Sequence, residues 1–250
     1  MTQFLASLNW SGPCLGLLEH MKSLDPEKPA ILHIRHTART FPGQGEYSRP
    51  NGIDDRKHLS TDEGKQAAFF FGASMPAERR YTLFHTYVDR ARETAEEVHR
   101  GILSAGGKSE IAGEIPYTSV TDWKANNEWV RVLQQKQGPF PDGGFQLTCN
   151  WIAGHKPETI QRPSGEFARE YARITMQNLR EAPSNAFHVY VSHDTVVLAL
   201  MFHWFAELPY QDGLRFLDGF LTQPNTEGLQ VWFRDKSRLY EYPYWWPNPT

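Results

Sequence analysis

The sequence predicts an α/β fold: a three-layer sandwich with a mostly parallel central sheet, helices on both faces and an inserted cap segment. Three observations lead there. Short apolar runs bounded by breakers alternate with segments of helical periodicity. Polar functional groups stand where those runs end, as they do in sheets whose ligand site lies at the carboxyl ends of the strands. Between about residues 110 and 161 the periodicity is poor, which marks an insertion or cap over the core.

The first run, Ala30 to Ile34, lies between Pro29 and the pair Arg35 and His36, as a buried strand would. A Gly/Pro-rich loop, Phe41 to Gly52, follows. Ser60-Thr61-Asp62-Glu63 then fits a capping box, with the Ser60 hydroxyl accepting from the Glu63 amide, and predicts a helix to about Gly72. Tyr81 to His85 is the second strand, and Val88 to Leu103, rich in Ala, Arg and Glu, the second helix. The poorly periodic stretch holds Trp123, Trp129 and Trp151 and the turn cluster Gly138 to Gly144; its aromatics are suited either to line a substrate cap or to pack a satellite cluster. Ser164 is placed as the N-cap of a helix running to about Arg180. Ala186 to Val191 forms a strand that ends at Ser192-His193-Asp194, and a helix runs from Thr195 to Phe205. Leu229 to Phe233 and Leu239 to Tyr242 read as a closing hairpin around Asp235 and Lys236. There is no internal repeat and no low-complexity tract.

Composition narrows the class. The 250 residues are read as one domain, 1–250, and 40% hydrophobic with 22% charged residues suffices for a core and is too little charge for a disordered chain. Lys and Arg number 26 against 29 Asp and Glu, so no basic excess draws the chain to nucleic acid or anionic membranes. Cys14 and Cys149 stand far apart without metal-ligand spacing, which excludes a disulfide scaffold and a zinc finger. Asn9, Ser11 and Gly12 interrupt Met1 to Leu18 before a signal core forms, and no apolar run approaches the ~20 residues that cross a bilayer. The expectation is a soluble, cytoplasmic protein; its oligomeric state is not legible.

Three strand ends carry chemistry: Arg35 and His36 after the first, Thr86 with Arg90 after the second, His193 and Asp194 after a later one. Forked guanidinium donors suit phosphate oxygens, so Arg35, Arg39 and Arg90 in one crevice would bind a dianion. Among such cations a histidine stays neutral and nucleophilic, which points to His36. His193, where a strand meets a helix N-terminus, would stabilise the charge on a phosphoryl group in transfer. The leaving alkoxide needs a proton, and Asp194 and Glu114 are both available as its source. The arginines supply the charge neutralisation that Mg²⁺ would otherwise give, so neither metal nor cofactor is expected. His33 and His36, three apart on a strand, face opposite ways and are not a metal pair. Plain readings stand beside these roles: Arg90 and Arg92 as solvated helix charges near Glu93, Glu96 and Glu97, which fits Arg92 better, Asp194 as a helix cap, and Glu114 as a surface carboxylate.

Leu32-His33-Ile34-Arg35-His36-Thr37 resembles the Arg-His-Gly signature of the histidine phosphatase superfamily, which includes phosphoglycerate mutases and acid phosphatases. Leu59 to Ala67 is similar to that family's Leu-Ser/Thr-x-x-Gly-x-x-Gln-Ala run, and Arg90 to Glu96 to its Arg-Ala-x-Gln-Thr-Ala-Glu segment. Ser164-Gly165-Glu166 is similar to its Gly-Glu-Ser element, and Val191-Ser192-His193 falls where its second catalytic histidine belongs. These motifs keep the family order from about residue 30 to 235. The resemblance implies a phosphohistidine mechanism with His36 as nucleophile, His193 as second histidine, and Arg35 and Arg90 as phosphate ligands. The first three motifs lean toward the phosphoglycerate-mutase-like branch. Arg35-His36-Thr37-Ala38-Arg39 and His193-Asp194 resemble the acid phosphatase branch, which implies Arg39 as a third phosphate ligand and Asp194 as the acid. Thr37 stands where the family has glycine, and a β-branched residue does not readily take a positive φ.

The expected function is a metal-independent phosphatase acting on a small phosphomonoester. The alternatives are a phosphoglycerate-type phosphomutase and a non-catalytic phosphate-binding regulatory protein on the same fold. The chain from Phe41 lacks the Asn-containing continuation associated with the mutases, which favours hydrolysis.

Overall fold

The structure, a computed structural model, describes residues 2–39, 59–115, 123–137, 145–207 and 213–246. The loop at 41–52, the continuation from Phe41 and the turn cluster at 138–144 lie outside them.

The strands of the described residues are β1 (Ala30–Arg35), β2 (Arg80–His85), β3 (Lys108–Glu114), β4 (Ala186–Ser192), β5 (Gly219–Asn225), β6 (Gly228–Phe233) and β7 (Lys236–Tyr240). They form one sheet in the order β3-β2-β4-β1-β5-β6-β7. The four strands from β3 to β1 are parallel. Beyond β1 the sheet turns antiparallel, so the expectation of a mostly parallel sheet holds at the centre and gives way to a meander on one flank. β4 is buried at every position, as a central parallel strand covered on both faces should be.

Strand alternation divides the core in two. Leu32, Ile34, Leu83, Val189 and Val191 join α1 (Thr2–Ser7), α2 (Gly12–Met21), α3 (Asp62–Ala73) and α4 (Asp89–Ser104) on one face. Ile31 and Tyr190 face the other way, toward α6 (Phe145–Ile152), α7 (Ser164–Arg180) and α8 (Asp194–Phe205). The three expected layers are present. His33 points into the second layer, fully buried among Tyr171, Tyr190, Trp204 and Phe220.

Several local expectations are corrected. Thr61, not Ser60, caps α3: its hydroxyl accepts from the Gly64 amide at 3.0 Å, while the Ser60 amide is drawn to Glu93 at 2.7 Å. Ser164 is the first residue of α7 rather than its cap, because Pro163 takes the preceding position; the Ser164 hydroxyl bonds His203 Nε2 at 2.9 Å. The poorly periodic stretch contains an edge strand and two helices, β3, α5 (Trp123–Gln137) and α6. β3 alternates exposed with half-buried residues and so lacks the apolar run that marks β1 and β4. Trp151 is core, its indole N–H donating to the Arg162 carbonyl at 2.7 Å. The hairpin turns one residue early, at Arg234 and Asp235, with Arg234 at φ 50° and Lys236 already paired to Phe233.

Candidate active site

In the sheet order, β2, β4 and β1 are neighbours, so their carboxyl ends meet. The ladder continues one residue past β1 and β2: the His36 amide donates to the Ser192 carbonyl at 2.8 Å and the Thr86 amide to the Val191 carbonyl at 3.2 Å. His36, Thr86 and His193 are thereby fixed around one crevice, with the rings of His36 and His193 5.4 Å apart at 66°.

His36 is 2% exposed, and its protonation pattern follows from its partners. Nδ1 lies 2.7 Å from the Thr37 carbonyl, which only accepts, so Nδ1 carries the proton. Nε2 then holds the lone pair, and Arg90 Nε donates to it at 3.0 Å. Burial, followed by the charges of Arg90, His193 and Arg35, pushes the imidazole well below its ordinary value. A neutral imidazole whose lone-pair nitrogen is set among guanidinium groups can attack an electrophile that those groups hold, once Arg90 turns its donor from that nitrogen to the incoming group.

One face of α4 builds this arrangement. Residues 93 and 94 lie about one turn after residue 90, on the same side of the helix. Arg90 reaches His36 and also His193 Nδ1, at 3.4 Å. Glu93 accepts from the Ser60 amide and pairs with Lys65 at 2.9 Å. The Thr94 hydroxyl accepts from the Thr37 amide at 3.0 Å. Buried Ala91 and Ala95 let the helix sit close to the sheet. Arg92 points away and pairs with Asp89 and Glu96, so it is the solvated charge and Arg90 is not.

Thr37 takes the place of the expected glycine without a positive φ. Its buried hydroxyl donates instead to the Gly64 carbonyl at 2.8 Å, tying the His36 loop to the start of α3. Gly64 permits this contact, because a Cβ there would stand 2.4 Å from the Ala38 carbonyl oxygen.

Arg35 is held on three sides: it donates to the Leu214 carbonyl, lies 4.6 Å over the Phe216 ring and pairs with Asp194 Oδ2 at 3.1 Å. Asp194 Oδ1 accepts from the Thr195 amide at 2.8 Å, so this residue both opens α8 and faces the crevice. Burial raises the Asp194 carboxyl, but its side chain keeps 40% exposure. The charge of Arg35, the Thr195 amide, His193 and Arg39 outweigh that penalty, and the net shift is downward. Arg39, bridged to Ser60, is near enough to act on Asp194. His193 Nε2 lies 3.1 Å from the Thr86 hydroxyl, and its Nδ1 lies 3.4 Å from an Arg90 guanidinium nitrogen. Glu114 closes β3, in register with His85 at the same end of the sheet. Its side chain is exposed and bonds none of these groups, so the structure gathers Arg35, His36, Arg39, Arg90, His193 and Asp194 and leaves Glu114 at the rim.

No sequence pattern marks Leu214 and Phe216, which meet Arg35 from 179 and 181 positions away, or Trp10, which packs edge-on against Phe216 at 5.5 Å. Among the described residues no three His, Cys, Asp or Glu side chains gather as a metal site requires.

No family model and no curated protein matches the sequence. Solved structures match in fold. A phosphoglycerate mutase from Bacillus anthracis is similar over 86% of this chain and 94% of its own, at 13% identity and a TM-score of 0.53. A putative alpha-ribazole-5'-P phosphatase from Escherichia coli is similar over 86% and 96%, at 16% identity and 0.50. A structure described as mycobacterial hydrolase 1 is similar over 84% and 99%, at 15% identity and 0.50.

Proposed function

We propose that this chain, whose fold is that of the histidine phosphatases, hydrolyses a small phosphomonoester through a phosphohistidine on His36. The observation that supports this most is the unprotonated Nε2 of His36, capped by Arg90 and flanked by Arg35 and His193. Arg35, Arg39 and Arg90 bind the phosphoryl oxygens and supply the charge neutralisation. The His36 lone pair forms the P–N bond as the bond from phosphorus to the leaving oxygen breaks, and His193 stabilises the charge on the group in flight. Water then attacks phosphorus as the P–N bond breaks, giving a proton to the carboxylate that has protonated the leaving oxygen, which releases inorganic phosphate and returns the lone pair to His36.

Asp194 is the acid for the leaving oxygen, with Glu114 the alternative. In the free chain Arg35 holds Asp194 ionised. A bound phosphoryl dianion draws Arg35 to itself and repels the carboxylate, and both effects raise Asp194 until it takes up the proton it later donates. We also read α6, within the segment expected as a cap, as covering one side of the site, because its Thr148 lies 3.3 Å, hydroxyl to hydroxyl, from Thr195 beside Asp194.

A panel of phosphomonoesters assayed in EDTA tests the reading. Release of inorganic phosphate with no added diphosphorylated cofactor is expected. Phosphate transfer that depends on such a cofactor would assign a mutase, and phosphate binding without turnover a regulatory protein.

A further inference from the structure

Resting on that reading, we infer that Trp10 and Phe216 form an aromatic shelf beside the phosphate site and select phosphomonoesters with an aryl leaving group. The Phe216 ring centre lies 6.0 Å from that of His36, and one of its faces carries the Arg35 guanidinium. Trp10 meets Phe216 edge-on at 5.5 Å and 85°, extending the apolar surface beyond the Phe216 ring. Both rings are half-buried, Trp10 resting in part on the core beneath it, so each keeps part of its surface open.

The shelf is fixed. Backbone bonds bracket Phe216, from the Leu217 amide to Arg35 at 3.2 Å and from the Arg35 amide to Asp218 at 2.9 Å. The Arg215 guanidinium donates to the Asn9 carbonyl at 2.8 Å and fastens the residues beside Trp10 to the same loop. A phosphoryl group seated on Arg35 and facing His36 Nε2 therefore has a rigid aromatic wall alongside it. Two rings meeting edge to face suit a planar aryl group, which buries apolar surface and gains ring contacts that a short polar alcohol lacks.

Non-reacting analogues test this without the confounding reactivity of aryl leaving groups. Inhibition constants for benzylphosphonate, methylphosphonate and inorganic phosphate are measured on the wild type, Trp10→Ala and Phe216→Leu. The wild type is expected to prefer benzylphosphonate over methylphosphonate by about tenfold. Trp10→Ala, which touches neither Arg35 nor His36, should lose most of that preference and keep its affinity for inorganic phosphate. Phe216→Leu should lose the preference too. Equal affinity for the two phosphonates in the wild type, or an unchanged preference in both variants, overturns the shelf while leaving the phosphate site intact. Failure of all three anions to bind overturns the proposed function and the shelf with it.

Discussion

Asp194 serves two partners in the free chain: Oδ1 accepts from the Thr195 amide, as a helix-opening carboxylate does, and Oδ2 pairs with Arg35. Only the second partner is in contention when a phosphoryl dianion arrives; His193 holds the cap position of α8, and Asp194, the first residue of the helix, is left able to serve as an acid in turnover. Loss of an acid matters most for a basic leaving oxygen. Asp194→Asn is therefore expected to slow alkyl phosphates by about 100-fold or more and p-nitrophenyl phosphate far less. Equal slowing of both, or leaving-group dependence in Glu114→Gln instead, would transfer the role to Glu114 at the rim. That Arg35 and Asp194 share one crevice was readable from the strand ends that carry them; their ion pair was not. The Arg35 contacts with Leu214 and Phe216 were not, because no local pattern marks a loop that reaches the site only through the tertiary fold.

At the scale of elements, α3 and α4 clamp the loop that carries His36. Their spacing was legible in the ordered runs from Leu59 to Ala67 and from Arg90 to Glu96, since Gly64, Arg90, Glu93 and Thr94 each make a contact that sets a residue type. The cap of α3 was misplaced by one residue because Glu93, 33 positions away, draws in the Ser60 amide and leaves the capping to Thr61. β5 went unread, its pairing with β1 being long-range, and β3 because an edge strand needs no apolar run. The clamp can be loosened at one point. Gly64→Ala places a methyl 2.4 Å from the Ala38 carbonyl, and the backbone shift that relieves it should cost about 1–3 kcal/mol. It should also weaken orthovanadate binding at least severalfold, by moving Thr37 and with it His36. A lowered Tm with wild-type vanadate affinity would show that the α3 contact does not position the loop.

For the whole molecule, buried histidines tie stability to pH. His33 lies among four aromatic rings with neither ring nitrogen bonded, and burial pushes it down to about 3. Burial likewise lowers His188 to about 4. These folded values lie below that of an unfolded histidine, so the unfolded chain takes up protons first as the pH falls. The stability is complete above about pH 6.5 and is lost below it, down toward the folded values. His33 alone should account for about 2 kcal/mol between pH 7 and pH 5. Denaturant unfolding at the two pH values checks this: His33→Phe should reduce the loss by about that amount, and an unchanged loss would contradict the assignment. The strand position of His33 showed that it faces away from His36, whereas its four aromatic neighbours come from four other elements, which no local pattern brings together.

The central claim is that the crevice acts through a covalent bond to one imidazole nitrogen. Rapid acid-free quenching of the chain with substrate labelled in its phosphoryl group, followed by peptide mapping, tests it most directly. The label is expected on Nε2 of His36, stable to alkali and lost in acid, and absent from His36→Ala that has kept its fold. Turnover in the wild type with no trapped adduct, or an adduct that survives in His36→Ala, would contradict the account.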